Sequence, residues 1–240
     1  MSTKENIGAF YDEFSSKQQE TGVNLRHYKL MQLMIEAGLR QGHHVLEAGC
    51  GIGTLTGLIA SFIRKGSMVA ADISSRSIEM AKNRLAGKTN IQFVVTDMKG
   101  FVHRNPFDFI VLPDVMEHIP VEQHPELFKT LAQHMHAGSV LLIHIPHPLA
   151  LNYYREHHPE TLQIIDQSLD AEQLIRDASQ AGLQLVQYKA YSLFHREPDY
   201  VLIHFRLSEA VKLQPYSKIR IILKKLSLRI RLLFSGYFQK

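Results

Sequence analysis

Three carboxylates close three successive β-like runs, and a glycine-rich turn follows the first of them. Val45–Ala48 leads into Glu47-Ala48-Gly49-Cys50-Gly51-Ile52-Gly53, Ser67–Asp72 ends on an acid, and Ile91–Thr96 runs into Asp97. Glycines after a strand let the backbone turn tightly and let a ligand come into contact with it. A pyrophosphate site spaces its glycines Gly-x-Gly-x-x-Gly at a helix N-terminus. Here the spacing is Gly-x-Gly-x-Gly, with an acid two residues ahead, which suits a cationic amino group better than a phosphate. Asp72 is placed to accept the hydroxyls of a ribose, and Asp97 to take the exocyclic amino group of an adenine. The alternatives are a ligand-free strand-to-helix turn, and for Asp72 a charge favoured by a helix N-terminus.

These acids require strands that end on one edge of a sheet. Leu55, Leu58, Ile59 and Phe62 recur at helical spacing after the turn; Ile78, Ala81 and Leu85 recur after Ser74 and Ser75, either of which can cap a helix. A fourth strand is expected at Phe107–Leu112, a helix over Pro125–His136, and a fifth strand at Val140–Ile145. This alternation implies right-handed βαβ units and a parallel sheet. After His147 the rhythm breaks, and Pro148–Ser168 delays the next helix to Asp170–Gln180. Strands follow at Leu183–Tyr191 and Tyr200–Leu207, with Pro198-Asp199 in a hairpin loop that suits an antiparallel last strand.

The run Val45–Gly53 resembles the first motif of class I S-adenosylmethionine-dependent methyltransferases of the small-molecule type. Asp72, Asp97 and Phe107–Pro120 resemble the later motifs in order and spacing, and the likeness covers roughly Met34–Ile145. It implies a doubly wound α/β sheet of seven strands in the order 3-2-1-4-5-7-6, with S-adenosyl-L-methionine as cofactor. Gly49, Gly51 and Gly53 would pass close to its methionine part and Glu47 would support its amino group, directly or through water. Asp72 and Ile73 would border the ribose, Asp97 and Met98 the adenine, and the backbone near Pro113 and Asp114 the sulfonium. Pro113 departs from the pattern by removing an N–H donor there. Tyr11 and Arg26 resemble a lid over the methionine end; an ordinary amphipathic helix is the other reading of Arg26.

Methyl transfer to a sulfonium's acceptor is an in-line displacement, and a base is needed only when the acceptor must lose a proton. The chain has fourteen histidines. Position selects His147, just past the fifth strand, and His118, after the fourth, as candidate bases; His144, inside the fifth strand, reads as packed core. Tyr153, Tyr154 and His157 are expected to wall the acceptor site. His157 and His158 lack a third ligand at metal spacing, so no metal is expected. No Asn-Pro-Pro-Tyr run follows the fourth strand, which argues against amino-methylating enzymes of nucleic acids and glutamine. An oxygen acceptor on a small, lipophilic or carrier-bound molecule is favoured. The rivals are an NAD-dependent oxidoreductase and a non-catalytic cofactor binder that recruits partners.

The 240 residues, 45% of them apolar, suit one α/β domain with extensions: residues 1–42 as lid and helix, 43–207 as the cofactor domain with an acceptor insertion near 147–168, and 208–240 as a basic extension. A single Cys50 and the polar start Ser2–Asn6 suit the cytoplasm. Residues 208–240 hold eight bases and one acid, a net +7; with the whole chain at +4, the remainder carries −3. A general nucleic-acid binder is therefore not expected. In the tail, Ile219, Ile222, Leu223, Leu226, Ile230, Leu233, Phe234 and Tyr237 share a helical stripe, with Arg220, Lys224 and Arg231 opposite and Ile221, Leu228 and Leu232 interrupting the polar side. Residues 216–238 thus read as a contact for the inner membrane face or an acidic partner, or else as a helix packed on the body or on the second subunit of a homodimer.

Overall fold

The computed structural model describes residues 22–163, 165–208 and 214–234, and divides the chain into two compact units, Met1–Ser208 and Glu209–Lys240. In the first unit, helix α1 (Leu25–Ala37) starts at Asn24. The Asn24 side chain accepts from the Arg26 and His27 N–H groups while the Asn24 N–H donates to His27 Nδ1, a reciprocal cap. Gly38, at φ 114°, closes the helix in a left-handed turn. Strands and helices then alternate as β1 (His44–Ala48), α2 (Thr54–Phe62), β2 (Ser67–Asp72), α3 (Ser75–Arg84), β3 (Ile91–Val95) and β4 (Phe107–Pro113). They continue through α4 (His124–Gln133), β5 (Met135–Pro146), α5 (Pro148–His157), α6 (Ala171–Gln180), β6 (Leu183–Tyr191) and β7 (Tyr200–Leu207).

The seven strands form one sheet in the order β3-β2-β1-β4-β5-β7-β6, as expected. The first five strands are parallel to their neighbours, and β7 lies antiparallel to both β5 and β6. The chain runs outward from β1 to β3 and then returns to place β4 on the other side of β1. The carboxyl ends of β1 and β4 therefore open a crevice where the winding reverses, the place at which such sheets take ligands.

Alternation along the strands splits the core in two. Val45, Met68, Ala70, Phe109 and Val111 pack against Leu30, Leu33 and Met34 of α1 and Ile59 of α2. Leu46, Val69, Ile110, Leu112 and Ile143 pack on the other side with Phe128 of α4 and Leu174 of α6. Phe107 breaks strict alternation, because a register shift between Phe107 and Phe109 turns it to the opposite side from Phe109.

Two expectations change. The helix expected over Pro125–His136 stops at Gln133, because Met135 pairs with Phe107 and starts a twelve-residue β5. The Pro148–Ser168 stretch contains α5, begun by Pro148 at the first helical turn, where its missing N–H costs nothing. The tail forms helix α7 (Lys218–Phe234), and no described helix is long and apolar enough to cross a membrane.

His27 ties this framework to pH. Desolvation, helped by the neighbouring Arg26 charge, lowers it to about 4, so it stays neutral and can accept from Asn24. Below its ordinary value near 6.5 the unfolded chain takes up a proton that the folded chain refuses, so this contribution to stability falls between about pH 6.5 and 4. Glutamine keeps the reciprocal cap without titrating. His27→Gln should match the parent near pH 7 in chemical denaturation and exceed it near pH 4.5; stability curves that stay parallel across this range would refute the assignment.

Candidate functional site

The tip of β2 grips the glycine turn after β1. The Gly49 and Cys50 N–H groups both donate to the Ala71 carbonyl, at 2.8 and 2.9 Å. The Gly51 N–H donates to Asp72 Oδ2 at 2.7 Å, the Ser74 N–H donates to Asp72 Oδ1 at 2.9 Å, and the Gly53 N–H donates to the Cys50 carbonyl at 3.0 Å. These amides are spent inside the protein, so the turn does not present them to a phosphate as a dinucleotide site would. Gly49 has φ 81°, and a Cβ built on it would fall 2.2 Å from Val115 Cγ2. The turn is thus fixed by two pressures: a left-handed backbone and the close approach of the chain after β4.

A cavity of about 480 Å³ lies along this edge, within the range of small-ligand sites. Gly49, Gly51, Asp72, Ile73, Asp97, Met98 and Asp114, all named from the sequence, line it together. Gly53 does not; it is the N-cap of α2, where a Cβ would press on Leu85 and Ala81 at 3.0 and 3.1 Å. Met98, at φ 63°, turns the chain after β3, its N–H held by Thr96 Oγ1. Three carboxylates on one wall suit a ligand that carries positive charge, such as a sulfonium with an ammonium group, and disfavour a pyrophosphate.

Glu47, expected to support the amino group directly or through water, stands behind the turn. It does not line the cavity but is fully buried, accepting from Thr56 Oγ1 through Oε2 at 2.7 Å, while Oε1 has no partner among the described residues. Desolvation pushes it up to about 8 against the Thr56 hydrogen bond, so it is mostly a neutral acid near pH 7.

Asp114 is the most tightly held of the wall carboxylates. It stands at φ 54°, its N–H on the His144 carbonyl. Arg26 Nη1 reaches Oδ2 at 2.6 Å and His144 Nδ1 reaches Oδ1 at 2.6 Å. Burial would raise its pKa, but the Arg26 and His144 charges overcome this and bring it down to about 2. His144 continues through Nε2 to the Tyr191 hydroxyl at 2.7 Å and stacks on Tyr200 at 4.7 Å between ring centres. The reading of His144 as a packed core residue holds, since it is fully buried, and the same side chain also holds a carboxylate at the cavity wall. Its signal is a lone histidine in an apolar run, Leu142-Ile143-His144-Ile145, since a buried imidazole needs partners.

The candidate bases fare differently. His147 does not line the cavity; it caps α5, accepting from the Leu149 N–H at 3.3 Å. His118 does line it. Desolvation lowers its pKa, but the Asp166 hydrogen bond at 3.1 Å and the Glu117 charge overcome this and raise it to about 9. It is a cation near neutral pH, not a resting base. The aromatic residues expected as acceptor walls sit elsewhere: Tyr153 stacks on His157 at 4.3 Å, and the Tyr154 hydroxyl meets His195 Nε2 at 3.1 Å. The inserted segment instead contributes Gln163 and Ile165 to the cavity. Tyr11 lies outside the described residues. No group of three metal-ligating side chains occurs among the described residues.

The glycine turn predicts a steric result. Gly49→Ala combines left-handed strain with overpacking against Val115, together about 2–4 kcal/mol of destabilisation. Denaturant unfolding that shows no loss would mean the turn relaxes freely.

Comparison with known proteins places this geometry. A family model described as a methyltransferase domain matches residues 23–188. The chain is similar to the protein-L-isoaspartate O-methyltransferase of Pyrococcus horikoshii, 31% identical over 118 residues, which are 48% of this chain and 50% of that protein. It is 29% identical over 100 residues to malonyl-[acyl-carrier protein] O-methyltransferase 1 of Ilyobacter polytropus, covering 42% of this chain and 35% of that one. The chain thus spans half or less of the curated relatives it matches. The crystal structure of N-methyltransferase NodS from Bradyrhizobium japonicum WM9 shares the fold, with TM-score 0.59 at 22% identity over 77% of this chain and 95% of that one. With the family model spanning more than half of the chain and the sheet order matching, the chain belongs to the methyltransferase-domain family, of the class I type that uses S-adenosyl-L-methionine.

Proposed function

We propose that this chain moves a methyl group from S-adenosyl-L-methionine to an oxygen of a small-molecule or carrier-bound acceptor by in-line displacement. The observation that carries the reading is that the glycine turn, Asp72, Asp97 and Asp114 line one cavity together. When bound, the cofactor supplies an electrophilic methyl on a sulfonium. Asp72 and Ile73 are placed for the ribose, Asp97 and Met98 for the adenine, and Asp114 adds fixed negative charge near the sulfonium end. The protein's share of the work is alignment and exclusion of water. The internally bonded amides of Gly49, Cys50, Gly51 and Gly53 argue against the dinucleotide alternative.

The acceptor side favours oxygen, and a carboxylate within that class. Both curated relatives named above are O-methyltransferases by name, while the NodS structure is an N-methyltransferase by title. A carboxylate needs no deprotonation, and His118, cationic on the cavity wall, offers it a counter-charge. A hydroxyl acceptor would need a base in the place where this structure holds a proton.

Calorimetry with S-adenosyl-L-methionine and with NAD tests the cofactor: binding of the former alone is expected, and preferential binding of NAD would reverse the assignment. Asp72→Ala should weaken S-adenosyl-L-methionine binding by about 1–3 kcal/mol through loss of charge-assisted hydrogen bonds, whereas unchanged affinity would remove Asp72 from the site. For the acceptor, S-adenosylhomocysteine release should be greatest with carboxylate-bearing acceptors. With such an acceptor kcat/KM should fall as pH rises through about 9, where His118 loses its proton. That limb should vanish in His118→Gln; a limb that survives the substitution belongs to another group.

A further inference from the structure

Helix α7 has a chemistry that methyl transfer does not use. Every described residue from Gln214 to Leu233 is exposed. Among them Ile219, Ile222, Leu223, Leu226 and Leu233 keep 54–72% of their surface in solvent. Such continuous apolar exposure is unusual unless something covers it. The helix Lys218–Phe234 carries six cations and no acid.

The placement of those charges around the helix identifies the cover. At about 100° per residue, Ile222, Leu233, Leu226, Ile219, Ile230 and Leu223 fill a continuous arc of roughly 100°. Arg229, Lys218 and Lys225 border one side of this arc; Ser227 lies beyond the other edge, and Arg220, Arg231 and Lys224 follow toward the opposite face. Tyr216 has its ring under Arg220 at 4.4 Å and Lys224 at 4.1 Å. An apolar arc with cations along one edge and more toward the opposite face, and an aromatic ring under two of them, matches a helix lying in a bilayer surface. The arc enters the acyl boundary while the lysine and arginine stems reach back to the headgroups. Nucleic acid supplies anions but nothing for the arc to bury against.

We infer that α7 docks on an anionic phospholipid surface, with Ile219, Ile222, Leu223, Leu226, Ile230 and Leu233 inward and Ile221 and Leu228 on the side away from the lipid. The geometry favours attachment along the surface, since no described helix can span a bilayer.

The full-length protein should co-sediment with phosphatidylcholine vesicles that contain phosphatidylglycerol, weakly or not at all with phosphatidylcholine alone, and less at high salt. The chain has no tryptophan, so a single introduced one reports on its own position. With the mixed vesicles, Leu226→Trp should shift its emission to the blue, and Leu228→Trp should shift much less. Removing Lys218, Lys225 and Arg229 together as glutamines leaves the helix pattern intact and should weaken binding roughly 10²-fold. Intact protein that ignores both vesicle types overturns the inference, as does a blue shift at position 228 without one at 226. Equal binding to RNA that survives Leu226→Asp would make the partner a nucleic acid. Self-association through α7 without vesicle binding would make it a second copy of the chain. Either outcome overturns the lipid assignment. S-adenosyl-L-methionine binding by the same preparations keeps failure here separate from failure of the proposed reaction.

Discussion

A carboxylate kept ionised largely out of water organises this molecule. Asp114 exposes only 14% of its side chain. An unpaired charge in such a place costs several kcal/mol, so it persists only because Arg26 and His144 each supply a charge-assisted hydrogen bond. Those two partners come from α1 and β5, while Asp114 follows β4. One ion therefore ties together the first described helix and two central strands, and it fixes the left-handed backbone at the mouth of the crevice. A non-glycine residue at positive φ needs such over-determination. Tyr191 and Tyr200 extend the lock into β6 and β7, so the antiparallel edge of the sheet also bears on the cavity wall.

The glycine turn is the complementary constraint. Ala71 and Asp72 hold its amides in place, and Val115 presses on Gly49 from the chain that follows β4. The β1 turn is thus clamped between the tips of β2 and β4. The result is a rigid floor whose N–H groups face inward and whose neighbouring side chains are acids. A preorganised wall of this kind favours a cation without moving to meet it. Glu47 contributes differently from its neighbours: enclosed and mostly protonated, it bonds β1 to α2 through Thr56.

Much of this was legible in the chain itself. Strand-tip acids announce themselves because a buried apolar run that ends in a carboxylate must place that carboxylate at an edge, and the βαβ rhythm then sets which edge. The sheet order and the antiparallel last strand followed from the resemblance and from the Pro198-Asp199 break. Contacts between distant segments were not legible. Arg26 and His144 are 118 positions apart in the chain, and nothing in either neighbourhood signals the other. His147 looked like a base because it follows a strand, yet the proline after it starts a helix and makes it a cap. Tyr153, Tyr154 and His157 looked like pocket walls because they are aromatic, but the helix they occupy pairs them with one another and with His195. The bulge that turns Phe107 left no mark in the apolar pattern, since both sides of β4 are buried.

The division of charge gives the two units different tasks. The acids on the cavity wall make a negative body useful for holding a cationic cofactor, but the same sign opposes approach to an anionic surface. A chain at −3 outside the tail gains nothing from such a surface unless a separate element supplies attraction. The tail concentrates its cations in one helix, six of them over Lys218–Phe234 with no acid among them. Spreading the same cations over the body would have placed some of them near Asp72, Asp97 or Asp114 and weakened the site. Segregation is what lets one chain carry an acidic cavity and a basic amphipathic helix together.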